Sequence, residues 1–561
     1  MSPSHSNTKA QHFVGLARID IDELDFSFAL QKNHREQSEK AKLRLLSVFK
    51  LEGCRRFEEE NFIDATIDTE NLDLSLRQAQ VLPSDFKTAS LSALLEPFKI
   101  PRLKVHRPVA CYNGLHRVLA AKEFLDRNDR WWVIRLHSSE GLTSRSSSRI
   151  IEGFAHEQVY TDGTIFRNIR QYNRQEDAED SENRWWARLT ETKRKDLRQL
   201  LKNKRMTKAF DELLDFPGLW TPIQLGTLHR LHGLRCPEEL VNYLSHIKTV
   251  WTHIVPDPRL RQYVDTPTVL NLELYAPGLS SHDDSCVTKL MDEMRIFPML
   301  HAHSDRASLL RSLKSITCLI PSIRTFFENQ KYLEPCSTIL RQLLGDSEKR
   351  SLWLGFSANY FEPDQLCIQQ NERFSKRLEC HTYPKQTLGY LQLWLFCLRN
   401  FPEMTNITPK MTSKREKVRR EHNPTLWHKL GKLAVDLGFR TDTAVELSRQ
   451  SPDAEHADQF LRAARPYWNG NREEAVGAVV ELLGSMREDG PATNCSGFTT
   501  TEILDRELRC GKPKDNDHEI DKHHLFLSLF HKEVDAGECL TSLYVKRDLI
   551  EAFFNPYLLQ V

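Results

Sequence analysis

Apolar residues recur with two different periods along the chain. In residues 13–24 and 62–67 they alternate with polar ones, whereas most apolar runs beyond Ser138 have helical spacing. Alternation is typical of strands, and a spacing of three to four residues is typical of amphipathic helices. We therefore predict an α+β fold, in which a small N-terminal α/β domain is followed by a long, mostly helical body.

Breaks in this pattern predict the domain boundaries. Serine-rich residues 138–149 and the proline- and lysine-containing residues 401–424 interrupt the apolar spacing. The predicted parts are a disordered N-terminus (1–10), an α/β domain (11–150), a helical domain (151–400), a basic linker (401–424) and a mainly helical C-terminal domain (425–561). Helices are predicted at residues 38–49 with a Gly53 C-cap, and at 91–98, 115–127, 149–159, 163–172, 193–214, 237–255 and 308–329.

The segment 108–136 carries the clearest candidate chemistry. It predicts a strand, a turn at Gly114, a helix and a second strand at 131–136. A helix N-terminus presents unpaired backbone N–H groups at the positive end of the helix dipole, so anions bind there. His116 and Arg117 add donors that suit phosphate. The plainer alternative is a helix start with an exposed histidine and an arginine that pairs with a nearby carboxylate.

The turn and the residues downstream of it resemble the N-terminal domain of the ParB/sulfiredoxin superfamily. The resemblance covers about residues 13–175 and implies that Gly114, His116 and Arg117 hold nucleotide phosphates. It also matches Glu157 and Gln158 to the acidic-amide pair that completes the site in ParB proteins, which respond to CTP. Leu115 stands where sulfiredoxins place their reactive cysteine, so reductase chemistry is not expected, and Cys111 is predicted to be a core residue.

A second resemblance covers nearly the whole chain. The Gly-x-His-Arg turn followed by Trp131-Trp132, the Trp185-Trp186 pair, and the Leu354-Gly355-Phe356 motif are similar to a large filamentous-fungal family of unknown function. Genes of that family are often cargo of giant mobile elements. The family has no settled activity, so the resemblance supports the fold more than the function.

A basic segment forms the second candidate site. On a single helix, residues 194, 198, 202 and 205 would share one face, next to the Trp185-Trp186 pair, as a helix that contacts a phosphate backbone requires. The alternative is a solvated helix whose positive charge is balanced by the acidic residues upstream. The candidate nucleic-acid-binding residues are Lys193, Arg194, Lys195, Arg198, Lys202 and Arg205. Basic residues 410–420 are consistent with a nuclear-import segment, a phosphate-binding patch or an ordinary linker.

Composition excludes several classes of protein. The net charge of +1 excludes a global attraction to nucleic acid, and the twelve cysteines contain no C-x-x-C pair. No apolar run reaches the length of a membrane-spanning helix, and the polar N-terminus lacks a signal-peptide core. We therefore expect an intracellular protein, in the nucleus or the cytoplasm, with no membrane partner. We assign no catalytic residue and no metal ligand.

These observations favour a nucleotide-binding, DNA-associated regulatory protein. The expected partners are DNA and a nucleotide, with CTP or ATP and Mg²⁺ as the candidate cofactors, and nucleotide binding would act as a conformational switch. Two alternatives stay open: a nucleotide hydrolase or nuclease on the same domain, and a regulatory scaffold with a vestigial pocket. The oligomeric state is left open.

Overall fold

The computed structural model of the chain describes most of its residues. These are residues 12–27, 39–86, 100–140, 160–175, 179–345, 349–371, 375–378, 384–407, 422–449, 451–464, 470–487, 501–511, 514–531 and 537–554. The predicted disordered N-terminus, the predicted helices at 91–98 and 149–159, and basic residues 410–420 lie outside them. The chain divides into two compact units, Met1–Thr161 and Asp162–Val561.

The N-terminal unit contains a five-stranded sheet with the order β1-β5-β3-β4-β2. Its strands are β1 (Phe13–Asp20), β2 (Leu24–Asp25), β3 (Ile63–Ile67), β4 (Val109–Cys111) and β5 (Trp131–Ser138). Its helices are α1 (Glu39–Glu52), α2 (Thr69–Gln78) and α3 (Leu115–Phe124). Strand β3 runs parallel to β5 and antiparallel to β4, while β1 is antiparallel to β5. The predicted α+β class is confirmed.

Alternation along β5 explains how the sheet separates two layers. Trp132, Ile134 and Leu136 enter the main core, which also contains apolar residues of α1, α2 and α3. Val133 points to a smaller cluster on the opposite face, together with Leu16. The predicted strand, turn, helix and strand of residues 108–136 are all present, and Cys111 is buried in the core as predicted.

The second unit is almost entirely helical. Its helices are α4 (Asp162–Asn173), α5 (Glu179–Ala187), α6 (Glu191–Lys202), α7 (Lys204–Asp211), α8 (His229–Gly233), α9 (Pro237–Ile254), α10 (Thr266–Leu272), α11 (Ser281–Asp292), α12 (His303–Lys314), α13 (Ile323–Leu344), α14 (Leu352–Ala358), α15 (Lys385–Met404), α16 (Pro424–Asp436), α17 (Asp442–Arg449), α18 (Pro452–Ala464), α19 (Arg472–Arg487), α20 (Asp515–Asp521) and α21 (Ser542–Phe554). A two-stranded antiparallel ladder joins β6 (Leu366–Gln369) to β7 (Ser375–Leu378).

The core of the helical unit lies around α9, α13, α15 and α21. Helix α9 packs against α13 and α21, and α13 packs against α15. Tyr243 of α9 contacts Phe326 of α13 and Phe553 of α21, with ring centroids 5.6 and 4.7 Å apart. The C-terminal helix therefore belongs to the same core as α9. The expected split into domains 151–400 and 425–561 stays a prediction.

Two of the predicted helices are wrong as single helices. Residues 193–214 form α6 and α7, because the side chain of Asn203 caps the second helix by accepting a hydrogen bond from the Met206 amide. Residues 308–329 are divided between α12 and α13, because Ser322 and Thr325 form a capping box that starts a new helix. In both cases a polar side chain satisfies backbone groups that a continuous helix would bond internally.

Candidate phosphate-binding site

The predicted phosphate turn lies between β4 and α3. Gly114 is the N-cap of α3 and has φ 85°, in the left-handed region that favours glycine. A Cβ atom at this position would lie 2.6 Å from Cγ1 of Ile63, so a side chain would collide with β3. Backbone conformation and packing therefore both favour glycine at this position.

Neither an N-cap side chain nor an acidic residue of the first turn neutralises the start of α3. Because Gly114 has no side chain, no side-chain oxygen of the N-cap accepts from the first amides, and the first turn contains no acidic residue. His116 and Arg117 occupy this turn and are partly exposed. The result is a helix N-terminus with a histidine and a guanidinium next to it, which is suited to a negatively charged ligand.

Arg117 is held against the turn that precedes β3. Its Nη1 donates to the backbone oxygen of Asn61 at 3.4 Å, and Nε1 of Trp132 donates to the same oxygen at 2.8 Å. The structure thus brings Gly114, His116 and Arg117 into one turn. Glu157 and Gln158, the other predicted members of the site, lie outside the described residues.

A buried polar cluster on the sheet lies next to the turn and is hydrogen-bonded to it. Asp64 of β3 is fully buried, and its Oδ1 lies 2.9 Å from Nε2 of His137, which is also buried. Nη1 of Arg135 lies 3.5 Å from the other carboxylate oxygen. Because both partners come from β5, the parallel pairing of β3 with β5 creates the cluster.

Asp64 also fixes the two residues that precede Gly114. Its amide donates to Oδ1 of Asn113 at 2.9 Å, and its backbone oxygen accepts from the Tyr112 amide at 2.8 Å. Nδ2 of Asn113 donates to the Asp64 carboxylate at 3.3 Å. These bonds attach the start of the turn to β3. Sequence analysis missed this cluster, although a charged residue between Ile63 and Ala65 in a buried strand was a signal for it.

Cys111, three residues before Gly114, has a thiol of low reactivity. Its side chain is fully buried, and burial raises the pKa of its thiol well above the ordinary range. The thiol therefore stays protonated and packs in the core.

The basic candidates of the helical unit are partly neutralised. Nζ of Lys193 lies 2.8 Å from Asp162, and Nη1 of Arg205 lies 3.9 Å from Glu238. Arg194 donates to the backbone oxygen of Leu189 and lies 3.4 Å from Glu191. Because a new helix begins after Asn203, Arg205 does not continue the basic face of α6, which corrects the expectation of a single stripe.

Three basic residues of α6 remain exposed. They are Lys195, Arg198 and Lys202, and the guanidinium carbon of Arg198 lies 5.5 Å from the ring centroid of Trp186. A cation over an indole ring leaves its N–H groups available at the edge. This part of α6 keeps the character of a basic surface with an aromatic neighbour.

Comparison with family models decides the family. An N-terminal domain model for a protein of unknown function (DUF3723_N) matches residues 12–156, and the central domain model of the same family (DUF3723) matches residues 162–558. The chain belongs to the DUF3723 family. No curated protein and no solved structure matches it.

The two DUF3723 models meet close to the boundary between the compact units, which follows Thr161. The two matches confirm the expected membership of a family of unknown function. The ParB-like, fungal and mobile-element features implied by the resemblances stay predictions.

Two kinds of feature are absent from the described part of this DUF3723 chain. No group of three or more His, Cys, Asp or Glu side chains there is arranged to hold a metal ion. Among the helices described, none combines the length and the apolar character that a membrane span requires.

Proposed function

We propose that the N-terminal unit binds the phosphates of a nucleotide at the turn formed by residues 113–117. The observation that carries this proposal is the start of α3, where a left-handed glycine N-cap provides no side-chain cap, the first turn contains no acidic residue, and His116 and Arg117 follow directly. Phosphate oxygens would accept from those amides and from the guanidinium. CTP and ATP, with Mg²⁺, are the first ligands to test.

Rigidity of the turn favours this proposal over a simple helix start. Ile63 packs where a side chain at Gly114 would lie, and Asp64 holds Tyr112 and Asn113 by backbone and side-chain bonds. A preorganised turn loses little conformational entropy when a ligand binds. Asp64 itself is buried and engaged with His137, so we assign it a positioning role and no catalytic one.

Calorimetry with CTP, ATP and GTP in the presence of Mg²⁺ tests the site. We expect saturable binding of one nucleotide, with an affinity about ten-fold or more weaker in Arg117→Ala, because a charge-assisted bond is lost. The matched control is Arg127→Ala, an exposed arginine just beyond the other end of α3. Absence of binding to all three nucleotides, or equal affinities in both variants, would reject the site and favour a scaffold.

Turnover decides between a binder and a hydrolase. Release of phosphate from the bound nucleotide, lost in Arg117→Ala, would identify a hydrolase built on the same turn. Binding without turnover would identify a regulatory site.

We further propose that the exposed part of α6 contacts a nucleic-acid backbone. Lys195, Arg198 and Lys202 are exposed, and Trp186 lies beside Arg198. In Lys195→Glu/Lys202→Glu, DNA affinity should fall, and the slope of log affinity against log salt should decrease by about one per lysine. Lys432→Glu, an exposed site on α16, is the control. Unchanged affinity in the double variant would remove DNA from the proposal.

A further inference from the structure

A cysteine and a histidine lie together on the surface of α11 in the helical unit. Cys286 follows His282 by one helical turn, and its Sγ lies 3.7 Å from Nε2 of His282. The histidine is exposed and the cysteine is partly exposed. A thiol with an imidazole nitrogen within hydrogen-bond reach is the arrangement that activates cysteine nucleophiles.

Two further side chains complete the surroundings of this thiol. Burial raises the pKa of Tyr275, and the neighbouring Cys286 adds to the increase, whereas Arg506 opposes it. The guanidinium carbon of Arg506 lies 5.0 Å from the Tyr275 ring centroid and is held there by a hydrogen bond to the Asn271 backbone oxygen. Cys286 therefore lies near a base and a phenol, and a cation lies against the phenol ring.

The other thiols of the helical unit make this arrangement distinctive. Burial raises the pKa of several of them, so that they stay protonated; these are Cys236, Cys318, Cys336, Cys397 and Cys510. Cys367, on β6, is partly exposed like Cys286 and is the natural comparison. Oxidants react with accessible thiolates, and among the described cysteines the combination of accessibility with a base at 3.7 Å favours Cys286.

We propose that Cys286 is an oxidation-sensitive thiol that hydroperoxides convert to a sulfenic acid, with His282 as the proton acceptor. Nε2 of His282 takes the thiol proton, and the sulfur attacks one peroxide oxygen. The S–O bond forms as the O–O bond breaks, and the departing oxygen takes the proton back from the imidazolium. The products are the sulfenic acid and water, or an alcohol when the oxidant is an alkyl hydroperoxide. The site is independent of the proposed nucleotide turn.

The test is to treat the full chain with hydrogen peroxide at pH 7 and trap sulfenic acid with a dimedone probe. Peptide mass spectrometry then measures labelling at each cysteine. We expect labelling at Cys286 to exceed that at Cys367 by about ten-fold, because Nε2 of His282 can accept the proton of the Cys286 thiol. Labelling should fall about as much in His282→Asn and stay unchanged in His303→Asn, an exposed histidine on α12.

Equal labelling of Cys286 and Cys367, or full labelling of Cys286 in His282→Asn, would overturn the proposal. A second measurement does not depend on a variant. Alkylation of Cys286 by iodoacetamide at pH 7 should be about ten-fold faster than alkylation of Cys367, because a base lies within hydrogen-bond reach of the Cys286 thiol. Equal alkylation rates for the two cysteines would contradict the role of His282.

Discussion

Asp64 in the N-terminal unit and Asp548 in the helical unit are both removed from water, yet their surroundings differ. Asp64 lies 2.9 Å from a ring nitrogen of His137 and 3.5 Å from the guanidinium of Arg135. Asp548, on α21, accepts one hydrogen bond from the Leu319 amide at 3.3 Å. Its position borders a small cavity that Tyr243 and His246 also line.

The two buried acids are accommodated in different ways. Burial, and then the nearby Glu551, raise the pKa of Asp548 well above the usual range, so this acid keeps its proton to a higher pH in the folded protein than in the unfolded chain. Asp64 instead has a basic side chain on each carboxylate oxygen. A buried acid can thus be accommodated by partners or by protonation, and the neighbouring strands or helices determine which occurs.

Asp283 of α11 shows the first solution in its strongest form. Arg509 holds both carboxylate oxygens of Asp283, at 2.6 and 3.1 Å, and both side chains are buried. Such bidentate pairs are short and directional. We therefore expect different losses in the free energy of unfolding when the surroundings of each acid are changed.

The largest effect is expected from Arg509→Met. This change leaves the Asp283 carboxylate buried without its cation, which should lower the free energy of unfolding by about 3–5 kcal/mol. Chemical denaturation of the full chain measures it. Arg259→Met is the control, because the Arg259 side chain is 87% exposed and pairs with Asp257 at the surface. A similar small loss in both variants would show that the buried pair is not important for stability.

Asp64→Ala should have the next largest effect. It removes the acceptor shared by His137, Arg135 and Asn113, and unsatisfied buried groups should cost about 2–4 kcal/mol in unfolding free energy. Because Asp64 positions the turn, nucleotide affinity should fall with it if the turn binds nucleotide. Loss of stability with unchanged nucleotide affinity would separate the cluster from the site.

Gly114→Ala should cost about 2 kcal/mol, from a positive φ and a collision with Ile63. Gly53→Ala is a matched control in the same unit, because Gly53 has φ 74° but nothing within 4 Å of an added Cβ. The control should therefore lose only about 1 kcal/mol. Thermal or chemical unfolding of both variants measures the difference, and equal losses would mean that the contact with Ile63 relaxes freely.

Asp548→Asn should have the smallest effect on the free energy of unfolding, and the size of this effect should depend on pH. The folded protein retains a proton that the unfolded chain releases above a pKa of about 3.9, so wild-type stability should decrease as the pH rises from there toward the raised folded pKa. The asparagine has no proton to release. The decrease in the free energy of unfolding from pH 5 to pH 8 should therefore be smaller in the variant than in the wild type. An identical decrease in both proteins would show that Asp548 is ionised in the folded state.

Much of the local structure was predictable from the sequence. The helix at 38–49 ends at Gly53, where a φ of 74° and a bond from its amide to the Phe49 oxygen complete the predicted C-cap. The strands around Gly114 were predicted because their apolar residues and the glycine are local signals. The division of residues 308–329 had a signal too, since Pro321 and Ser322 stand at the break.

The polar clusters were not predictable in this way. Asp64 and His137 are 73 residues apart, and Asp283 and Arg509 are 226 apart. Hydrophobic periodicity assigns a residue to a face of its own element but does not identify the residue opposite it. The sequence by itself therefore determined the α+β class, the glycine turn and the placement of His116 and Arg117 in it. Only the tertiary structure decided which buried acids have partners, because strand pairing and helix packing bring distant residues together.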